Sequence, residues 1–329
     1  MKNVEAVVVE KFGGPEVLEY TTVDLTDVEP TEVLIKVEAI SVNFADIKAR
    51  RGNYHRASKS PFIPGLDCSG MIEAVGEEVE GLEVGQKVIA FPKNGSYASY
   101  VKADQLLTYP ISPEVDSKIA AAYVTVAITS YNLLKKVARI QPGESVLIHG
   151  AAGGIGTIAT QISKLLGATS VIGTVGSDEK LGIAKQAGAD HVINYNKESF
   201  ADFVNVLTGG KGVDVILDSY AGKMFEESID CLAFFGRIVN FGNGIGGDGG
   251  KVDTNLLHSS CRSVLGYSTG TYRKFRPEEL EEAAQQSIEF LENGKIQLFI
   301  SREFTLQETA EAHRLMESRQ TVGKIVLVP

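Results

Sequence analysis

In "SVLIHGAAGGIG", residues 145–156, an apolar run ends at His149 and is followed at once by Ala151, Gly153 and Gly156. This is a dinucleotide fingerprint with alanine in place of its first glycine. Gly153 lets the backbone approach a pyrophosphate, and Gly156 lets the next helix pack closely on the strand. Amide hydrogens and the positive end of that helix then hold the phosphates. Ile155, Ile158, Ala159, Ile162, Leu165 and Leu166 recur at helical spacing, which predicts a helix over 155–166 that Gly167 stops. A ligand-free turn is the bland alternative, but the strand–loop–helix–strand context argues for a nucleotide.

The second strand, "VIGTV", ends where enzymes that use NAD place an acid for the ribose 2′-hydroxyl. Gly176 and Ser177 stand there instead. Gly176 leaves room for a 2′-phosphate, Ser177 can donate to it, and Lys180 can neutralise it. Asp178 dissents, although it should lie past the strand in the first helical turn. The balance predicts NADPH.

Other chemistry-bearing residues are sparse. Tyr54, in "RRGNYHR", is either a proton donor or a packed loop tyrosine. His55, His149 and His258 have no serine or cysteine partner forming a triad and read as structural or solvated. Cys68, Cys231 and Cys261 show neither metal spacing nor an even disulfide framework, so a reducing, cytoplasmic compartment is expected.

The elements that must position these groups fall into two rhythms. Residues 1–120 hold short β-branched stretches ("EAVVVEKF", "EVLIKVEAI", "CSGMIEAVG", "QKVIAF", "YASYVKA") broken by Gly, Pro and Asn, predicting an antiparallel, barrel-like domain. A helix is predicted over 117–138. From about 140 to 265 strands and helices alternate, which predicts a parallel sheet covered on both faces. The tail carries a helix opened at Pro277 and closed by Gly294, a capping box at Thr305 and Glu308, and the strand "KIVLVP". It is expected to return to the first domain.

At 329 residues two domains are the first expectation. The net charge of −10 argues against a nucleic-acid surface, and "KARRGNYHR" is the basic cluster that stands out. No apolar run reaches membrane-spanning length, and no signal peptide is expected at the start of the chain.

Taken together, "FGGPEVLEY", "VNFADIKARRGNY", "IPGLDCSGMIEAVG", "VEGLEVGQKVIAF", "HGAAGGIG", "GADHVINY", "GGKGVDVILDS" and "GKIVLVP" resemble the medium-chain dehydrogenase/reductase superfamily. The branch they resemble is the zinc-free quinone oxidoreductases, including the zeta-crystallin-like proteins. The resemblance implies an α/β protein: a GroES-like, mostly-β catalytic domain (1–122, completed by 268–329) plus a Rossmann doubly wound parallel-sheet domain (123–267), with the active site in the cleft between them. It implies that Asn43, Asp46, Thr129 and Tyr131 line the nicotinamide side, and that Ala152, Gly153, Gly154, Ile155 and Gly156 contact the pyrophosphate. Gly176, Ser177, Lys180 and Tyr195 would surround the 2′-phosphate. Phe241, Gly242 and Asn243 would close over the cofactor, with Lys324 nearby. For Tyr195 and Lys324 a structural role is an equal alternative. A homodimer or homotetramer is also implied.

The departures from the superfamily's alcohol dehydrogenases are informative. Asn43–Asp46 stand where those enzymes carry a cysteine, and Leu66 replaces a metal-binding histidine in Gly65-Leu66-Asp67. Asp67 and Cys68 cannot supply the three protein ligands of a catalytic zinc, so no metal is expected. Without a Lewis acid, the favoured acceptor spreads the arriving charge itself. A quinone or another α,β-unsaturated carbonyl does so, and weak donors such as the Asn43 amide or Tyr54 hydroxyl then suffice. The catalytic candidates are Asn43, Asp46 and Tyr54; the alternative for Asp46 is a structural one, tying down its loop. The alternatives are an enoyl-thioester reductase, and a cofactor-binding structural or RNA-binding protein with little catalysis.

Overall fold

The computed structural model describes residues 2–54, 60–244 and 249–329. His55 and part of the basic cluster lie outside them. The strands are β1 (Lys2–Val9), β2 (Leu18–Leu25), β3 (Glu32–Val42), β4 (Cys68–Val75), β5 (Lys87–Ala90), β6 (Tyr100–Asp104), β7 (Thr108–Pro110), β8 (Ser145–His149), β9 (Ser170–Val175), β10 (His191–Asn194), β11 (Val213–Asp218), β12 (Leu232–Asn240), β13 (Ser263–Gly266), β14 (Ile300–Thr305) and β15 (Lys324–Val328). The helices are α1 (Phe44–Arg50), α2 (Ser117–Tyr131), α3 (Gly154–Leu165), α4 (Leu181–Gln186), α5 (Phe200–Leu207), α6 (Gly222–Ile229), α7 (Thr254–Ser260), α8 (Thr269–Phe275), α9 (Glu281–Glu292) and α10 (Thr309–Glu317).

The chain divides into two compact units, Met1–Val126 with Arg273–Pro329, and Ala127–Tyr272. In the first, a seven-stranded sheet runs β14-β15-β3-β4-β5-β7, with β6 also on β3, and β1 and β2 form a separate hairpin. The pairings are antiparallel except β14–β15, which is parallel. β15 pairs with β3 through Ile325 and Val42, so the last strand of the chain borders the strand that leads into α1. The core of this unit is built from Val33, Ile35, Ile40, Ile72, Val88, Val101, Ile325 and Leu327, the inward faces of those strands.

In the second unit a six-stranded parallel sheet has the order β10-β9-β8-β11-β12-β13. Renumbered within the unit this is 3-2-1-4-5-6, the doubly wound dinucleotide topology. The strands are buried and rich in Val, Ile and Leu, as both-face coverage demands. Their order reverses between β8 and β11, so a crevice opens at the carboxyl ends of those two strands. α3 spans Gly154–Leu165, one residue earlier than its apolar stripe predicts. The helix predicted over 117–138 ends at Tyr131 and continues as a wider π-type turn, Asn132–Val137. Among the described residues no helix is long and apolar enough to cross a membrane.

Candidate functional site

The glycine loop lies at the switch point of the parallel sheet. Gly150 turns with φ +69°, Gly153 precedes α3 in extended conformation, and the Gly153 amide donates to the Gly150 carbonyl at 2.9 Å. A Cβ on Gly156 would lie 2.2 Å from that carbonyl oxygen and 2.6 Å from Ala151 Cα. Only glycine fits, because the obstacles are backbone. Ala152 is buried, while Gly153, Gly154 and Ile155 remain half-exposed at the mouth of α3, whose first-turn amides have no intrahelical acceptors. A cradle of this shape fits a diphosphate.

The ends of β9 and β10 make the next wall. Tyr195 donates its amide to Val175, and its hydroxyl stands 2.8 Å from where a Gly176 Cβ would be. Asn196 donates its side-chain amide to the Gly176 carbonyl at 2.7 Å. The Ser177 hydroxyl hydrogen-bonds Glu179, and this holds the Glu179 carboxyl below its ordinary range. Asp178 is held by Asn194 Nδ2 at 2.7 Å and by Lys197, which keep its carboxyl low as well. Lys180 is half-buried at the start of α4.

Two loops close the other side of the crevice. Asp218, fully buried at the end of β11, accepts the amides of Tyr220 (2.9 Å) and Ala221 (3.1 Å) and the Asn240 side chain (2.9 Å). Ala221 has φ +63° and ψ −164°, a region left almost entirely to glycine, and those hydrogen bonds hold it there. Phe241 donates its amide to Asp218, and Gly242 lies against the Ser219 carbonyl. Asn243 is half-buried beside them. The Tyr220 ring meets Tyr195 and His149 edge-on, with centroids 6.0 and 6.4 Å apart. His149 is buried between Thr174 and Ser228, where burial lowers its pKa to about 4. Thr129, buried on α2, shares a 2.7 Å hydrogen bond with Thr269, and Tyr131 is buried two residues on.

The first unit holds a buried polar network around α1. Asp46 accepts the Asn43 amide at 2.8 Å, the reciprocal half of a capping box. Lys324 donates to Asn43 Oδ1 at 2.7 Å and to the Val42 carbonyl at 3.0 Å. A lysine can only donate, so the Asn43 amide orientation is settled. Its Nδ2 then faces Asp67 Oδ1 (3.0 Å), Ser41 Oγ (3.2 Å) and the Ser41 carbonyl (3.3 Å). Both Asn43 N–H bonds therefore have acceptors inside the protein. Asp67 also accepts from Ser41 (2.7 Å) and from the Thr125 amide (3.0 Å). Gly65 makes this approach possible: it has φ +102°, and a Cβ there would strike Ser96 and the Tyr97 ring.

Burial raises the Asp46 pKa to about 7 against the pull of the Asn43 amide, Lys324 and Tyr97. Burial likewise lowers Lys324, opposed by Asp67 and Asp46. Tyr54 is half-buried on its loop. Arg273 donates to the Pro92 carbonyl at 2.9 Å, lies 4.7 Å over the Phe91 ring, and interacts electrostatically with Asp67 and Tyr54.

The structure thus brings Asn43, Asp46 and Lys324 into one cluster and surrounds the glycine loop with Gly176, Tyr195, Phe241 and Gly242. Sequence reasoning missed Asp67 as a structural anchor, Arg273, Tyr220 and Asp218. Only the strand-end position of Asp218 and Tyr220 could have signalled any of them. Among the described residues no group of three or more His, Cys, Asp or Glu could hold a metal ion. Burial and Asp67 also push the Cys68 thiol well up, away from the thiolate that binds metals.

A GroES-like sheet joined to a 3-2-1-4-5-6 sheet is the build of medium-chain dehydrogenases and reductases. Comparison with known proteins agrees: the alcohol dehydrogenase GroES-like domain family matches residues 29–113, and the zinc-binding dehydrogenase family matches residues 154–288. A quinone oxidoreductase of Salmonella typhimurium is 38% identical, over 97% of this chain and 98% of its own length. A 2-haloacrylate reductase of a Burkholderia species is 33% identical over 99% of both chains. The crystal structure of Escherichia coli quinone oxidoreductase complexed with NADPH superposes with a TM-score of 0.91 at 33% identity, over 99% of this chain and 100% of that one. The chain belongs to the zinc-independent, zeta-crystallin-like quinone oxidoreductase branch of the medium-chain dehydrogenase/reductase superfamily.

Proposed function

We propose that this protein is an NADPH-dependent, metal-independent reductase of quinones and other α,β-unsaturated carbonyls. The observation that carries the reading is the paired geometry of Gly156 and Gly176: a diphosphate cradle, and beyond it a strand that ends on glycine, with the following Asp178 already tied to Asn194 and Lys197. When bound, NADPH supplies the hydride. Ala152 to Gly156 hold its diphosphate, while Gly176, Ser177, Lys180 and Tyr195 surround the 2′-phosphate. Thr129 and Tyr131 serve the nicotinamide side, and Phe241, Gly242 and Asn243 cover the dinucleotide.

Asn43, Asp46, Asp67 and Lys324 act as a fixed frame on the substrate side, because their hydrogen bonds run to one another. Tyr54 is the proton donor of this reading, and Arg273 favours the negative charge that develops on the acceptor oxygen. The relative named as a 2-haloacrylate reductase supports an activated alkene as acceptor beside quinones. Three unpaired cysteines support a reducing, cytoplasmic setting.

A homodimer is part of the reading. β13 is the outer strand of the parallel sheet, and Phe234 and Phe235 nearby are 67% and 72% exposed. A second copy pairing along that edge would cover them.

The test is consumption of NADPH against naphthoquinone, phenanthrenequinone, alkenals and enoyl thioesters. Turnover with quinones or alkenals is expected. An absolute requirement for a coenzyme A thioester would move the assignment to an enoyl-thioester reductase. No turnover with any acceptor would overturn it.

A further inference from the structure

The structure points to the Lys197–Asp178 ion pair as the device that lets an acid-bearing strand end accept a 2′-phosphate. This inference rests on the proposed NADPH reading and names its specificity determinant. An acid just past the second strand of a dinucleotide fold accepts from a ribose hydroxyl and repels a phosphate. Asp178 is such an acid, two residues beyond Gly176.

Both oxygens of Asp178 are taken by the β10 end. Oδ1 accepts from Asn194 at 2.7 Å, and Oδ2 is paired with Lys197. Asn194 is buried and is itself fixed, since its Oδ1 accepts the Asn196 amide at 3.1 Å. Asn196 in turn donates its side chain to the Gly176 carbonyl, so the Asp178 tether is sewn to the strand end it guards. The same partners hold the Asp178 carboxyl low, so it stays ionised and its charge can only be balanced, not protonated away. Lys197 supplies that balance. The two side chains are 63% and 47% exposed, and an exposed pair of this kind adds little to stability. Removing Lys197 therefore changes the local charge more than the fold.

The experiment is calorimetric titration of the full-length chain, as wild type, Lys197→Met and the Lys197→Met/Asp178→Asn double variant. The probes are 2′,5′-ADP and 5′-AMP, which differ by the phosphate at issue. Lys197→Met should weaken 2′,5′-ADP by about fivefold and leave 5′-AMP within about twofold. Adding Asp178→Asn should restore 2′,5′-ADP to within about twofold of wild type. An unchanged ratio in Lys197→Met overturns the inference. So does a double variant as weak as the single one, because Lys197 would then meet the phosphate itself. A wild type that shows no preference for 2′,5′-ADP would instead remove the NADPH reading beneath it.

Discussion

Arg50 Nη1 lies 3.0 Å from His313 Nδ1, across 263 residues of chain. A guanidinium can only donate, so Nδ1 is bare and the imidazole proton sits on Nε2. Nε2 lies 3.0 Å from the Tyr97 hydroxyl, which must accept there and spend its own proton on Asp46 Oδ2 at 3.2 Å. One arginine thus sets the direction of every hydrogen bond back to α1. Its other nitrogens donate to the Gly13 carbonyl and, at 2.5 Å, to Glu317. Nitrogen NMR should find His313 as the Nε2–H tautomer at neutral pH, and Arg50→Met should release that preference. A protonated Nδ1 in the wild type would mean that Arg50 does not set the direction of these hydrogen bonds.

The same burial predicts the acid response. Burial lowers His313 to about 3 and His149 to about 4, so below the ordinary 6.5 the unfolded chain binds protons that the native chain refuses. Their contribution to stability is complete above pH 6.5 and is lost as pH falls. Asp46, raised to about 7, has the opposite sign: its contribution is full below the ordinary 3.8 and is lost as pH rises toward 7. Between about pH 6.5 and 5 the two histidines outweigh Asp46, and the net loss on acidification grows to nearly one proton's worth near pH 5, about 1 kcal/mol per pH unit. Asp46→Asn should steepen this loss toward two protons, measured by urea unfolding. An equal or shallower slope in the variant would refute the assignment.

Lys324 donates to Asn43 and acts electrostatically on the buried Asp46 and Asp67. Lys324→Met should cost about 3–5 kcal/mol, because it leaves Asn43 Oδ1 and the Val42 carbonyl without their donor and removes the positive charge that acts on two buried acids. Lys324→Met/Asp46→Asn should recover part of that loss. If the single variant unfolds within about 1 kcal/mol of wild type, the lysine does not hold the frame together.

How much of this was legible in the chain depends on range in sequence. The Gly153–Gly156 loop, α3 and the Gly176 strand end could be read because fingerprint, apolar stripe and turn lie within some thirty residues. The π-type turn after Tyr131 could not, since "NLLKKV" contains no glycine or proline to mark it. The frame around α1 was visible only in part. Asn43, Asp46 and Lys324 stand out through resemblance, but Asp67, Tyr97 and His313, which complete the network, arrive from three distant segments. In the sequence Asp67 reads only as a candidate metal ligand, whereas its oxygens are occupied by Ser41, Asn43 and Thr125.

An acidic side chain at position 176 should bring a steric and an electrostatic penalty together. Gly176→Asp would press on the Tyr195 hydroxyl and set a carboxylate in the proposed 2′-phosphate seat. NADPH affinity, read by fluorescence titration, should fall at least about tenfold, while NADH loses less. Parallel losses for both dinucleotides would show that this strand end does not discriminate.

The loop from Gly150 to Gly156 is expected to seat a dinucleotide carrying a 2′-phosphate. Isothermal titration of the full-length chain with NADPH and with NADH, beside a Gly156→Ala variant, tests it most directly. NADPH should bind at least about tenfold tighter than NADH, and the variant should lose both, because its new methyl would collide with the Gly150 carbonyl. Wild-type protein that binds neither dinucleotide, or prefers NADH, would contradict it.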